Sequence, residues 1–122
     1  MSQTIDYAEL HSQDPRRAAN FYVELFGWKA DEKESPAGVY TEIHTGGGIA
    51  AGLMKAPFPG GGSYWTPYVT VPRLDPAVER AKALGAKVEA PRATVPEVGH
   101  FAILRDPTGA IFGLFEKLPA SK

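Results

Sequence analysis

Four side chains able to hold a metal or move a proton alternate along two short stretches, Glu9 and His11 in TIDYAELH and Glu42 and His44 in VYTEIH. A spacing of two puts each pair on one face of a β-strand, with Cβ atoms ~6.5–7 Å apart. Such a pair can converge on one divalent ion through carboxylate oxygen and imidazole nitrogen. It can equally serve as a carboxylate-imidazole couple for general acid-base work near neutral pH. The plainer reading is that alternating polar residues mark the solvated or cavity-facing side of a strand. His100, beside Gly99, reads as a surface residue. The glycines at 46–48 and 60–62 are followed by neither a helix nor a Lys-Ser/Thr pair, so they make no phosphate loop. Ser2, Ser12, Ser35, Ser63 and Ser121 lack the context of a nucleophile elbow.

The elements that must position these residues are legible. Thr4 to His11 alternates as a first strand, with Ala8 and Leu10 opposite Tyr7, Glu9 and His11. Asp14 caps a helix with Pro15 at its first position, Ala18, Phe21, Tyr22, Leu25 and Phe26 form its apolar stripe, and Gly27 ends it. Phe21, Tyr22, Phe26 and Phe112 are assigned to a core, and Trp28 suits either core or pocket. Strands follow at Trp28 to Lys33, Val39 to His44 and Ile49 to Lys55. After APFPGGGS at Ala56 to Ser63 come a strand from Trp65 to Val71, a helix opened by Asp75 and Pro76 and stopped by Gly85, and a strand from Lys87 to Ala90. A loop from Pro91 to Val98 leads to a hairpin of Phe101 to Leu104 and Ile111 to Phe115. Its turn is Asp106-Pro107-Thr108-Gly109, a sequence that favours type I geometry.

The chain repeats itself. Shifted by 61 residues, Gly99 falls on Gly38, Gly109 on Gly48, Gly113 on Gly52 and Tyr68 on Tyr7, so that GAIFGLFE shadows GIAAGLMK. Two copies imply a duplicated β-α-β-β-β module instead of a solenoid.

Composition narrows the possibilities further. A chain of 122 residues, 43% hydrophobic and 22% charged, suits one globular domain. A net charge of −1 gives no electrostatic reason to expect nucleic acid or an anionic membrane as partner. With no cysteine, disulfides, thiolate metal sites and thiol nucleophiles are excluded. The sequence has neither a signal-like start nor an apolar run near ~20 residues, so the expected location is cytoplasmic.

The order of elements, FYVELFGW at Phe21 to Trp28, the helix-ending Leu84 to Ala86 and GHFAILRDPTGAIFGLFE together resemble the vicinal oxygen chelate superfamily. That superfamily includes glyoxalases, bleomycin resistance proteins and extradiol dioxygenases. The resemblance implies an α+β fold across residues 1–122, with two tandem βαβββ modules forming a cup-shaped mixed β-sheet and helices outside. The modules would span about 4–55 and 64–117, joined by a linker at 56–63. It also implies a homodimer, and a divalent metal held by the first and last strands of each module.

Carried onto this chain, the family's ligand positions fall on Tyr7, on Thr66 or Tyr68, and on Gly52 and Gly113, which make no ordinary metal site. A strand-interior glycine implies close approach or reserved space. Here that would be tight packing of the modules or a widened binding floor. The expectation is therefore a glyoxalase/bleomycin resistance-like protein that binds a small organic ligand and needs no cofactor. Tyr7, Glu9, His11, Thr66, Tyr68 and Phe115 would line the cavity, with Glu9 and His11 as candidate catalytic groups. Tyr40, Trp65 and Phe101 fall largely on faces that would add aromatic wall. The alternative is a metal-dependent lyase, isomerase or dioxygenase using Glu9, His11, Glu42 and His44.

Overall fold

The computed structural model describes residues 3–35, 38–47, 50–57, 61–95 and 98–118. Ile49, the middle of the expected linker and Pro96 lie outside them. Eight strands and two helices follow in the order β1 (Thr4–Ser12), α1 (Pro15–Phe26), β2 (Lys29–Ser35), β3 (Gly38–His44), β4 (Ala50–Lys55), β5 (Tyr64–Thr70), α2 (Leu74–Ala83), β6 (Lys87–Val95), β7 (Gly99–Arg105) and β8 (Ile111–Lys117). This is the α+β fold of two βαβββ modules. Contacts gather the chain into two compact units, Tyr7–Thr66 and a second made of Met1–Asp6 with Pro67–Lys122.

In the first unit the strands lie in the order β2-β3-β4-β1. Parallel pairing of β1 with β4 sets Glu9 beside Gly52, and antiparallel pairing continues that row through Glu42 to Asp31. The opposite face carries Leu10, Ile43 and Leu53, covered by Ala18, Ala19 and Tyr22 of α1 together with Trp28 and Ala51. Asp14 accepts the Arg17 N–H at 3.3 Å and Gly27 closes the helix at φ 74°, as the capping residues anticipate. Phe21 and Phe26, expected in the core, are instead 58% and 55% exposed. The stripe is wider than the sheet it covers, so Tyr22 goes inward and its neighbours remain outside.

The second unit repeats the plan as β5-β8-β7-β6, with Val71, Leu74, Ala102, Leu104 and Leu114 as its core. Two expectations are corrected here. Pro91 does not break the chain into a loop, because β6 runs from Lys87 to Val95 with register shifts between Val88 and Ala93. It pairs with β7 at the end of the strand order, where a proline removes no ladder bond that a neighbour needs. Asp75 does not cap α2 either. The helix begins two residues earlier, at Leu74, Arg73 stands at the cap position with no side-chain bond, and the Leu74 N–H donates to Glu116 Oε1 at 2.7 Å. In the β7-β8 hairpin, Asp106 Oδ1 accepts from the Thr108 N–H, the Thr108 hydroxyl and the Ala110 N–H.

Glu116→Ala removes the carboxylate that does a cap residue's work and is expected to cost ~0.5–2 kcal/mol in a urea unfolding curve, with Glu116→Gln retaining most of it. Equal stability of Glu116→Ala and the parent would show that the bond contributes nothing.

Candidate functional site

Strand alternation turns Tyr7, Glu9 and His11 away from α1, and of the solvated or cavity-facing alternatives the solvated one fails for Glu9 and His11. Glu9 is 6% exposed and His11 is fully buried. Their alternation on one extended strand brings His11 Nε2 to 2.6 Å from Glu9 Oε1, while the ring's other nitrogen lies 2.9 Å from the hydroxyl of the buried Thr66. The edge of Tyr64 meets the imidazole with ring centroids 5.3 Å apart at 73°. With Glu9 ionised, Nε2 carries a proton and donates it. Nδ1 then accepts from Thr66 in the neutral ring or donates to it in the imidazolium. The order carboxylate, imidazole, hydroxyl is that of a proton relay. Full burial of Thr66 withholds its hydroxyl from a substrate in this conformation, so that the three groups fix one another's orientation.

Beside this relay the strand glycine acquires its reason. A Cβ on Gly52 would overlap the hydroxyls of Tyr40 and Tyr7, so the missing side chain makes room for two phenols. Gly113 does the same in the other unit, where a Cβ would overlap the ring of Tyr68, itself 2% exposed. The space over each glycine is filled by tyrosine from its own unit, which corrects both the module-packing and the open-floor expectations. Burial first, and the charge of Glu42 second, raise the Tyr40 pKa above its ordinary value of 10.0.

The ladder also settles which second-module residue corresponds to Tyr7. Glu9 pairs with Gly52 as Tyr68 pairs with Gly113, so Tyr68 is the counterpart of Glu9, and Thr66, two residues earlier, is that of Tyr7.

The other expected site residues disperse. Glu42 and His44 are not gathered with Glu9 and His11 but pair outward, Glu42 with Lys33 at 3.3 Å and His44 with Asp31 at 3.0 Å. Phe115 packs against Gly99, and Phe101 meets Tyr68 edge-on at 6.2 Å. His100 Nδ1 lies 2.8 Å from the Thr94 hydroxyl. Trp65 lies against α1, its indole N–H donating to the Tyr22 hydroxyl at 3.2 Å. Among the described residues no three His, Asp or Glu side chains form a group that could hold an ion. Tyrosine, threonine and two glycines at the superfamily's ligand positions do not fit a divalent metal. Sequence reading missed Tyr64 altogether; its alternation with Thr66 on β5 was the available signal.

The model of the glyoxalase-like domain family matches residues 4–115. The chain belongs to that family. "Putative glyoxylase CFP32" of Mycobacterium bovis is 35% identical over 117 residues, covering 95% of this chain and 45% of that protein. Anthracycline biosynthesis protein DnrV of Streptomyces peucetius is 30% identical over 124 residues, with 89% and 45% covered. The chain thus spans about half the length of these relatives. Methylmalonyl-CoA epimerase from Mycobacterium tuberculosis shares the fold with a TM-score of 0.69 at 15% identity, covering 98% of this chain and 93% of that one. Among the described residues no helix is long and apolar enough to cross a membrane.

Gly52→Ala is expected to destabilise this glyoxalase-like domain by ~1–3 kcal/mol through overpacking. Adding Tyr40→Phe and Tyr7→Phe, which removes the clashing oxygens, should recover part of the loss. A double-mutant cycle with no coupling would contradict the assignment. The Tyr40 shift has its own signature. The folded chain holds that phenol's proton more tightly than the unfolded chain does, so the contribution is intact below pH 10 and is lost as pH rises toward the higher folded value. Stability measured from pH 9 upward should fall less steeply in Tyr40→Phe than in the parent; parallel curves would refute the shift.

Proposed function

We propose that this glyoxalase-like domain binds a small organic ligand without the divalent metal of its superfamily, and does so as a homodimer. What supports the reading is the donor set. At two ligand positions there is no side chain, and tyrosine oxygens or rings occupy the space that a metal-binding Glu or His would need. The two carboxylates paired with Gly52 in the ladder are both engaged, Glu9 by His11 and Glu42 by Lys33. Recognition then falls to hydrogen-bonding hydroxyls and flat apolar surfaces, the usual means of small-molecule sites. Glu9 and His11 are the groups proposed to move a proton if a reaction follows binding, with Thr66 holding the imidazole in place.

Elemental analysis of the purified protein tests this directly. After incubation with Zn, Ni, Mn or Fe salts and desalting, far less than one ion per chain is expected. A stoichiometric, tightly held ion that disappears in Glu9→Ala or His11→Ala would overturn the proposal in favour of a metal-dependent lyase, isomerase or dioxygenase. Native mass spectrometry on the same sample should show a dimer and any co-purified organic ligand. A monomer at micromolar concentration would remove the dimer from the reading.

A further inference from the structure

The face of the first unit that meets α1 holds an opening with no role in the relay. Its volume is about 380 Å³ and its lining is Ala8, Trp28, Thr45, Gly47, Ala51 and Trp65. The floor is made by Ala8 and Ala51, direct partners in the β1-β4 ladder, whose side chains stop at Cβ and leave the space above them clear. Two indoles form the walls. Tyr22 orients both of them, lying nearly parallel to Trp28 at 6.0 Å and 15° and edge-on to Trp65 at 5.4 Å and 81°, with the hydrogen bond from Trp65 fixing the second contact. Trp65 remains 40% exposed although its indole N–H is tied down. An exposed but pre-oriented indole loses little freedom when a ligand stacks on it.

We propose that this slot is a binding site for a flat, uncharged aromatic ring system, separate from the Glu9-His11 relay on the opposite face of the sheet. Size favours a small molecule over a protein. The volume lies within the range of ligand sites, and the six lining residues among those described fall well short of the ~20–30 a side that a stable protein interface uses. Composition favours a flat ring. Among the described residues no charged side chain lines the slot, its two indoles stand roughly at right angles, and the Thr45 hydroxyl is already donating to the Gly47 carbonyl at 2.7 Å. A planar guest can stack on one indole and meet the other edge-on, the two arrangements that aromatic pairs prefer.

The chain has two tryptophans, and both are walls of this slot, so tryptophan emission, excited where tyrosine does not absorb, reports on it. Titration with anthraquinone-2-sulfonate, a planar quencher whose charged group can remain in solvent, is expected to quench that emission saturably with one site per chain. Trp65→Ala should weaken binding about tenfold by removing one wall. Ala51→Leu should abolish it by filling the floor, with Ala8→Leu as the alternative if that variant fails to fold. Lys33→Ala, an exposed side chain paired with Glu42 away from the slot, should leave the titration unchanged, so a general effect of substitution and loss of the slot are told apart. Quenching that does not saturate by ~1 mM, or that is the same in Trp65→Ala and the floor variants, overturns the proposal. So does emission that changes with protein concentration alone, because the occupant is then a second copy of the chain.

Discussion

A carboxylate and an imidazole shut away from water must satisfy one another, and that requirement organises the first unit. Removing one partner of such a buried pair leaves the other uncompensated, a cost of ~3–5 kcal/mol. Glu9 and His11 meet it because two residues of extended chain set them on one face, and Thr66 completes it by presenting a hydroxyl to the second ring nitrogen. Once His11 is fixed on both sides, the register of β1 against β4 is no longer free to slip. A shift of one residue would turn Leu10 out of its core and the ionisable pair into it.

The same strand then imposes the glycine. Bringing Tyr7 and Tyr40 inward beside a carboxylate and an imidazole leaves no volume for a side chain at position 52. The second unit reaches the like outcome with a single ring, Tyr68, over Gly113. Duplication has preserved the small residue while the aromatic that fills its space differs. Tyr68 of the second module stands in register where the first module has Glu9, and Thr66 where it has Tyr7. In this glyoxalase-like framework phenol hydroxyls and ring faces fill the space over both strand glycines.

The two faces of the first unit are accordingly unlike. One concentrates polar groups under burial, where each must be paired. The other is apolar and incompletely covered, and because the apolar stripe of α1 is wider than the sheet beneath it, Phe21, Leu25 and Phe26 stay exposed. Tyr22 is the one aromatic of the helix that reaches inward, and it holds Trp28 and Trp65 in fixed orientations.

By itself the sequence determined the element order, the duplication, the caps of α1 and the Asp106 turn, since each rests on periodicity or on a backbone preference acting within a few residues. It also determined which residues share a strand face, and hence that Glu9 and His11 would lie together. Tertiary structure decided how deep each face lies and what stands across from it. It buried Glu9 and His11, joined Thr66 to them from a strand some fifty residues away, left Phe21 and Phe26 outside, sent Trp65 to the helix side and handed the α2 cap to Glu116. Local spacing fixes a direction, but burial and long-range partners depend on how much surface the neighbouring elements cover, which no stretch of sequence read alone contains.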